Sequence, residues 1–283
     1  MSTVGLLHPG SMGAALGAVL CEAGVRVLWL PDGRSPATAA RAEKAGLEPA
    51  QSLAGLAAAS DVVVSICPPG AADEVANAVL AAGFGGVYVD ANAISPARAQ
   101  RIAARARAAG ATPVDGGVIG PPPRAPGTRL YLSGEGEAPA SVARLFADGP
   151  VRAVVLPGGG ASASALKMAY AGANKIGLAL AAQALALAGH YGVEDALAAE
   201  SADLPDGHPL ADPARLSRAA GKAWRWEAEM HEIGDACLAA GLPDGAARAA
   251  AELFSRMAGH QDQPDVAVAR IVADLLRDGG ARP

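Results

Sequence analysis

The sequence predicts an α/β protein in which an N-terminal doubly wound sheet is followed by an all-α C-terminal domain. Three observations lead to this fold class. Short apolar segments alternate with helical segments through the first half of the chain. A glycine-rich turn follows the first of these apolar segments. From residue 160 onward, the apolar residues recur at helical spacing instead.

The elements of the first half are predicted from apolar runs and from the residues that cap them. Gly24 stands where a helix C-terminal cap belongs, and Ser95 followed by Pro96 is typical of a helix start. The predicted strands are residues 3–7, 25–30, 61–66, 86–90, 111–115, 129–133 and 151–156. The predicted helices are residues 12–23, 36–45, 71–82 and 95–109.

The second half is predicted to be helical throughout. Residues 161–189 contain no proline and predict one helix of about 45 Å, at roughly 1.5 Å per residue. A helix of this length exceeds what a small domain needs, so we expect it to link two domains and to pack against a second subunit in a homodimer. The domains are predicted as residues 1–158 and 159–283. The other predicted helices are residues 194–199, 213–240, 244–259 and 265–277.

Composition excludes several classes of protein. The 283 residues carry a net charge of −5 without a basic stripe, which argues against a nucleic-acid partner. Cys21, Cys67 and Cys237 lie far apart and without metal-ligand spacing, so neither a metal site nor a disulfide framework is expected. No segment predicts a signal peptide or a membrane span. We therefore expect a cytoplasmic protein.

The turn after the first strand predicts a dinucleotide site. Its sequence, His8-Pro9-Gly10-Ser11-Met12-Gly13, occupies the place of a GxGxxG fingerprint in which His8 replaces the first glycine. Small residues let a pyrophosphate approach the backbone at the N-terminus of the following helix. The candidate contacts of the cofactor in this turn are Gly10, Ser11, Met12 and Gly13.

The residues after the second strand bear on the choice between NAD and NADP. Asp32 favours NAD, because a carboxylate at this place binds the ribose 2′-hydroxyl. Arg34, Ser35 and Thr38 favour NADP, because a cation and hydroxyl groups at a helix start bind a 2′-phosphate. The pattern favours NADP, and NAD is the alternative.

Further motifs follow in order along nearly the whole chain: Asp90-Ala91-Asn92-Ala93-Ile94-Ser95-Pro96, then Val114 to Gly120, then Gly127 to Gly134, and Gly160 to Lys167. With the glycine-rich turn, they resemble the β-hydroxyacid dehydrogenase family, which is related to 6-phosphogluconate dehydrogenase and to imine reductases. The chain looks most similar to a subgroup with a phosphogluconate-dehydrogenase-type C-terminal domain of uncharacterised role.

The resemblance implies a Rossmann-type N-terminal domain and a catalytic lysine, which is Lys167 in this sequence. An ammonium group beside a developing alkoxide can donate the proton that hydride transfer requires. Cys67, Pro68 and Asn92 are further candidate contacts of the cofactor.

Departures from the family pattern concern the substrate. Ile119 stands where the family has a serine that holds the substrate carboxylate, and Ala171 stands where it has an asparagine. Both changes remove polar groups, so a short 3-hydroxy acid is disfavoured as the substrate. The candidate substrate residues are Ile119, Gly120, Tyr170, Trp226 and Glu229.

The sequence therefore predicts an NADP-dependent oxidoreductase that acts on a hydroxyl or carbonyl substrate. Two alternatives remain open. One is an imine reductase that uses NADPH. The other is a catalytically silent NADP(H)-binding sensor, which the departures at His8, Ile119 and Ala171 suggest.

Overall fold

A computed structural model of the chain describes residues 2–277. The chain divides into two compact units, with the junction between Met168 and Ala169. The junction lies beyond the predicted boundary at residue 158, inside a long helix rather than in the turn before it.

The first unit is built on an eight-stranded sheet in the order β3-β2-β1-β4-β5-β6-β7-β8. All neighbouring strands are parallel except β6 and β7, which are antiparallel. The strands are Thr3–Leu7 (β1), Arg26–Trp29 (β2), Glu48–Pro49 (β3), Val62–Ser65 (β4), Val87–Asp90 (β5), Thr112–Ile119 (β6), Thr128–Gly134 (β7) and Val151–Val155 (β8). The predicted Rossmann-type α/β class is confirmed.

Helices cover the sheet of the first unit. They are Ser11–Glu22 (α1), Pro36–Lys44 (α2), Leu53–Ala59 (α3), Ala72–Ala81 (α4), Pro96–Ala108 (α5) and Ala138–Arg144 (α6). β3, α3 and α6 were not predicted from the sequence. Each of these elements has at most seven residues, so the apolar periodicity within it is too short to be distinctive.

The second unit is helical, as expected. Its helices follow Ser162–Tyr191 (α7), which runs across the junction: Glu194–Ser201 (α8), Ala214–Ala223 (α9), Trp226–Ala239 (α10), Gly245–Arg256 (α11) and Val268–Leu276 (α12). The prediction of a single helix over residues 213–240 is wrong. It is divided at Trp224 and Arg225, and each half buries its own apolar residues, such as Leu216 in α9 and Met230 in α10.

Among the described residues, α7 is the helix that is long and apolar enough to cross a membrane by length and composition alone. In its most apolar stretch of 18 residues, 44% are buried inside the protein. A core helix of a soluble protein passes the same test, so this property does not by itself indicate a membrane span.

Candidate active site

The carboxyl ends of four neighbouring parallel strands meet at one edge of the sheet. The order β1-β4-β5-β6 brings His8, Cys67 and Asn92, which follow the first three of these strands, to the same edge as Ile119, which ends β6. The strand order reverses between β1 and β4. Ligands of open α/β sheets bind at the carboxyl edge, beside such a reversal.

The glycine-rich turn after β1 fits a dinucleotide pyrophosphate. Gly10 is the N-cap of α1, and no side chain within residues 2–277 caps this helix, so its first N–H groups have no side-chain partner there. A Cβ built on Gly10 meets no atom within 4 Å, which leaves the backbone open to a ligand. A Cβ on Gly13 would lie 2.6 Å from the His8 carbonyl oxygen, so only glycine lets the helix start this close to β1.

His8 adopts the left-handed backbone conformation that a glycine would adopt, with φ of 68°. Histidine is one of the residues that tolerate this region, so the turn keeps its shape without the first glycine. Burial, together with the charge of Arg34, lowers the pKa of His8 to about 4. The imidazole is therefore neutral at pH 7 and adds no charge to the turn.

Polar groups cluster at the start of α2. Ser35 is the N-cap, and its side chain accepts a hydrogen bond from the Thr38 backbone N–H at 3.3 Å. The hydroxyl groups of Ser35 and Thr38 lie 3.1 Å apart, and Arg41 donates to Thr38 Oγ1 at 3.0 Å. Arg34 is half-buried, and its Nε has no hydrogen-bond partner among the described residues. Asp32 is exposed in the preceding turn.

Asn92 joins the loops that follow β4 and β5. Its Oδ1 accepts the backbone N–H of Cys67 at 2.6 Å, and its Nδ2 donates to Ser65 Oγ at 3.1 Å. Burial raises the pKa of the Cys67 thiol to about 11, so this residue contributes its backbone and an apolar side chain rather than a thiolate. Asn92 thus fixes the loop that carries Cys67 and Pro68.

Asp90 lies beneath this network at the end of β5. Its Oδ1 accepts the backbone N–H of Asn92 at 3.1 Å, whereas Oδ2 has no partner among the described residues. Asp115 is its neighbour in the register of β5 and β6. Burial, followed by the charge of Asp115, raises the pKa of Asp90 to about 7 against the opposing hydrogen bond from Asn92.

Lys167 lies in the second turn of α7 and points to the end of β6. Its Nζ donates to the Val118 carbonyl oxygen at 2.9 Å, and the side chain is half-buried. Ile119, the next residue, is 4% exposed, so the end of β6 carries a buried apolar side chain. Gly120 has φ of 122°, and a Cβ there would lie 2.6 Å from the Gly127 carbonyl oxygen.

Residues 3–150 match the family described as the NAD binding domain of 6-phosphogluconate dehydrogenase. The chain belongs to this family. Residues 188–257 match a domain described as a domain of unknown function, DUF1932. This pairing and the structural relatives identify the enzyme as a member of the β-hydroxyacid dehydrogenase family, as the motifs predicted. It is an NAD(P)-binding dehydrogenase or reductase.

Solved structures extend the comparison to the whole chain. The conserved protein MTH1747, reported as similar to 3-hydroxyacid dehydrogenases, is 26% identical, with 91% of this chain and 97% of that chain covered and a TM-score of 0.66. The 3-hydroxyisobutyrate dehydrogenase of Mycobacterium tuberculosis is 20% identical, with 98% and 99% covered and a TM-score of 0.73. An imine reductase variant from Myxococcus stipitatus, in complex with NAD⁺, is 20% identical, with 98% and 99% covered and a TM-score of 0.55. No curated protein matches the chain in sequence.

The remaining substrate candidates of this dehydrogenase lie in the second unit. Tyr170 is 47% exposed on α7. Trp226 packs edge-to-face on Phe254 with ring centroids 5.1 Å apart. Glu229 is buried and pairs with Lys175, whose ammonium also lies 5.0 Å from the centroid of the Trp226 ring.

Several residues that shape the site were missed in the sequence analysis. Arg41 could have been found, because it follows Thr38 by three residues and therefore lies on a neighbouring face of α2. Lys175 pairs with a residue 54 positions away, and no sequence pattern signals such a contact. The same is true of Asp115, Ser133 and Ser164, which form a buried hydrogen-bonded group.

Proposed function

We propose that this enzyme is an NADP-dependent oxidoreductase that transfers hydride between the nicotinamide and a hydroxyl or carbonyl substrate, with Lys167 as general acid and base. The observation that carries the proposal is the hydrogen bond from Lys167 to the Val118 carbonyl, at the end of β6. This strand end shares the carboxyl edge with the glycine-rich turn, Cys67 and Asn92.

The chemistry assigned to Lys167 is proton transfer at oxygen. When bound, NADPH supplies the hydride to the carbonyl carbon, and a proton must then reach the carbonyl oxygen. The Lys167 ammonium donates that proton in reduction, and the neutral amine accepts it in oxidation. The backbone carbonyl of Val118 holds the ammonium in place without neutralising its charge.

The preference for NADP rests on the cluster at the start of α2. The guanidinium Nε of Arg34 is buried and has no hydrogen-bond partner among the described residues, and Arg41 adds a second cation beside Thr38. The 2′-phosphate of NADP is a dianion that such groups bind through charge-assisted hydrogen bonds. Because Ser35 already caps the helix, Arg34 and Arg41 are the main groups proposed to bind the 2′-phosphate.

Replacing Arg34 by Ala is expected to weaken NADPH binding by one to two orders of magnitude and to leave NADH binding nearly unchanged. Loss of a charge-assisted hydrogen bond costs roughly 1.5–3 kcal/mol. Fluorescence titration of both cofactors measures the effect. Arg152→Ala, which removes an exposed arginine of β8, is the matched control. Equal losses for NADPH and NADH would show that Arg34 does not contact the 2′-phosphate.

The substrate is proposed to be a carbonyl compound that is bulkier or less charged than a short 3-hydroxy acid. Ile119 and Ala171 are both buried apolar residues where the resembled family has polar groups. Imine reduction is the second candidate, and the same two residues favour it because a neutral imine needs no carboxylate contact. NADPH consumption across a panel of ketones, keto acids and imines distinguishes these substrate classes.

A homodimer is proposed from the exposed side of α7. Four large side chains on this helix are strongly exposed: Tyr170 (47%), Leu180 (58%), Leu187 (59%) and Tyr191 (70%). Exposed apolar side chains along one helix are typical of an interface. Interfaces of obligate dimers commonly exceed about 2,000 Å².

We also propose that the protein is cytoplasmic, since Cys21, Cys67 and Cys237 are free.

Light scattering at micromolar concentration is expected to give about twice the 27.9 kDa of one chain. Leu180→Glu should shift the mass toward that of the monomer, because it buries a charge in the interface. Leu242→Glu is the matched control, since Leu242 is equally exposed but lies in the turn after α10. A wild-type mass near 27.9 kDa would contradict the proposal.

A further inference from the structure

The first turn of α7 is capped by side chains of the sheet rather than by its own residues. The backbone N–H of Ser164 donates to Asp115 Oδ2 at 2.9 Å, and the backbone N–H of Ala163 donates to Ser133 Oγ at 3.0 Å. The first N–H groups of a helix have no partner within the helix, so these contacts satisfy two of them. By contrast, α2 and α3 are capped locally by Ser35 and Ser52.

Asp115 is the centre of this cap. The hydroxyl of Ser164 donates to its Oδ1 at 2.5 Å, and the hydroxyl of Ser133 donates to its Oδ2 at 2.9 Å. All three residues are buried, at 7% exposure or less. Burial raises the pKa of Asp115, and the donors from Ser164 and Ser133 oppose that rise. A carboxylate at this place also interacts favourably with the positive end of the α7 dipole.

Strand β6 and helix α7 make a second contact at Lys167. Val118 lies three residues after Asp115 on β6, and Lys167 lies three residues after Ser164 on α7. Residues three apart on a helix are neighbours on its surface. The contacts Asp115–Ser164 and Val118–Lys167 therefore hold the strand and the helix together at two successive points.

Between the two contacts the backbones approach closely. A Cβ on Gly117 would lie 2.7 Å from the Ala163 carbonyl oxygen and 3.3 Å from Lys167 Cβ. Any side chain at this position would push the start of α7 away from β6. Glycine is thus required for the distance at which Lys167 reaches Val118.

We propose that Asp115, together with Ser133 and Ser164, is a positioning residue that fixes the first turn of α7 and thereby aims Lys167 at the end of β6. This proposal rests on the role of Lys167 as the proton donor. Asp115 acts through the helix and not on the substrate. Removal of the Asp115 carboxylate should leave cofactor binding intact. It should displace the Lys167 ammonium group from the reacting oxygen.

Asp115→Asn and Ser164→Ala test the cap independently of activity. Amide hydrogen exchange of peptides that cover residues 161–168 should become faster in both variants. Asp61→Asn is the matched control, because Asp61 also accepts a backbone N–H, that of Thr3, at 2.8 Å. Ser164→Ala removes a single hydroxyl and serves if the Asp115 variant does not fold. Unchanged exchange over residues 161–168 in a folded variant would overturn the proposal.

A double-mutant cycle with Lys167→Ala tests the positioning role, using the most active carbonyl compound of the panel at saturating NADPH. Asp115→Asn should lower kcat roughly 10- to 100-fold in the wild-type background, as displaced catalytic groups do. It should cause no further loss in the Lys167→Ala background, and the Kd for NADPH should stay within about two-fold. Equal losses in both backgrounds would overturn the positioning role. Full activity of Lys167→Ala would instead reject the proposed function, while the exchange data would still report the cap.

Discussion

Replacing Lys167 by Ala is expected to lower kcat for carbonyl reduction by roughly 10²–10⁴, the usual contribution of a positioned acid or base. Without the ammonium group, the developing alkoxide has to take its proton from water. The affinity for NADPH should barely change, because the proposed cofactor contacts lie in the turn after β1 and at the start of α2. Steady-state kinetics at saturating NADPH, combined with fluorescence titration of the cofactor, measure both quantities.

Two further variants make the test of Lys167 specific. Lys167→Arg should not restore activity, because a guanidinium does not release its proton near neutrality. Lys222→Ala, which removes an exposed lysine at the end of α9, should leave kcat unchanged. Full activity of Lys167→Ala on a carbonyl substrate would remove this residue from the mechanism.

The same variant separates carbonyl from imine reduction. Reduction of an iminium carbon yields an amine, which needs less proton assistance from the protein than an alkoxide does. If the natural substrate is an imine, Lys167→Ala should therefore cost far less activity on imines of the panel than on ketones. A comparable loss on both classes would mean that the lysine also has another role, such as holding the substrate.

The second large expected effect is on the pH dependence of the free energy of unfolding, and it comes from the buried carboxyl group of Asp90. Its pKa is about 7 in the folded protein, whereas an unperturbed aspartate has a pKa near 3.8. The folded state therefore binds a proton more tightly than the unfolded state. The resulting stabilisation is complete below about pH 4 and is lost as the pH rises through about 7. Its upper size is about 4 kcal/mol, at about 1.4 kcal/mol for each unit of pKa.

We expect Asp90→Asn to remove this pH dependence and to make the protein more stable than the wild type at pH 8. The amide keeps an acceptor for the Asn92 backbone N–H and carries no charge that burial could penalise. Chemical denaturation between pH 5 and 8.5 measures the free energy of unfolding of both proteins. Parallel curves for the two proteins would contradict the raised pKa.

The titration of His8 changes the free energy of unfolding with pH in the opposite direction, so its contribution has to be separated from that of Asp90. Its pKa falls from 6.5 to about 4 on folding, so it lowers stability as the pH drops below about 6.5. Wild type and Asp90→Asn share this contribution, and the difference between them isolates Asp90. Asp203→Asn, which changes an exposed aspartate in the turn after α8, is the matched control for a change of net charge.

Local signals in the sequence account for much of the fold and for part of the site. The alternation of apolar runs with capped helices predicted six of the eight strands of the sheet to within about two residues. The strand predicted over residues 111–115 in fact continues to Ile119. The prediction ended too early because Gly116 and Gly117 interrupt the apolar pattern that marks a strand. These two glycines reflect close approaches, to the Asp90 carbonyl and to α7, that only the folded chain contains.

The sequence alone was sufficient to predict the α/β class, the place of the glycine-rich turn and the choice of Lys167 as a catalytic candidate. These follow from residues that are close along the chain, where backbone periodicity and helix capping act locally. Three contacts become visible only in the folded chain: Asp115 caps α7, Asp90 is buried beside Asp115, and Lys175 pairs with Glu229. Each of these contacts joins residues 25 to 54 positions apart, and their energies depend on burial and on the removal of water, which only the packed fold creates.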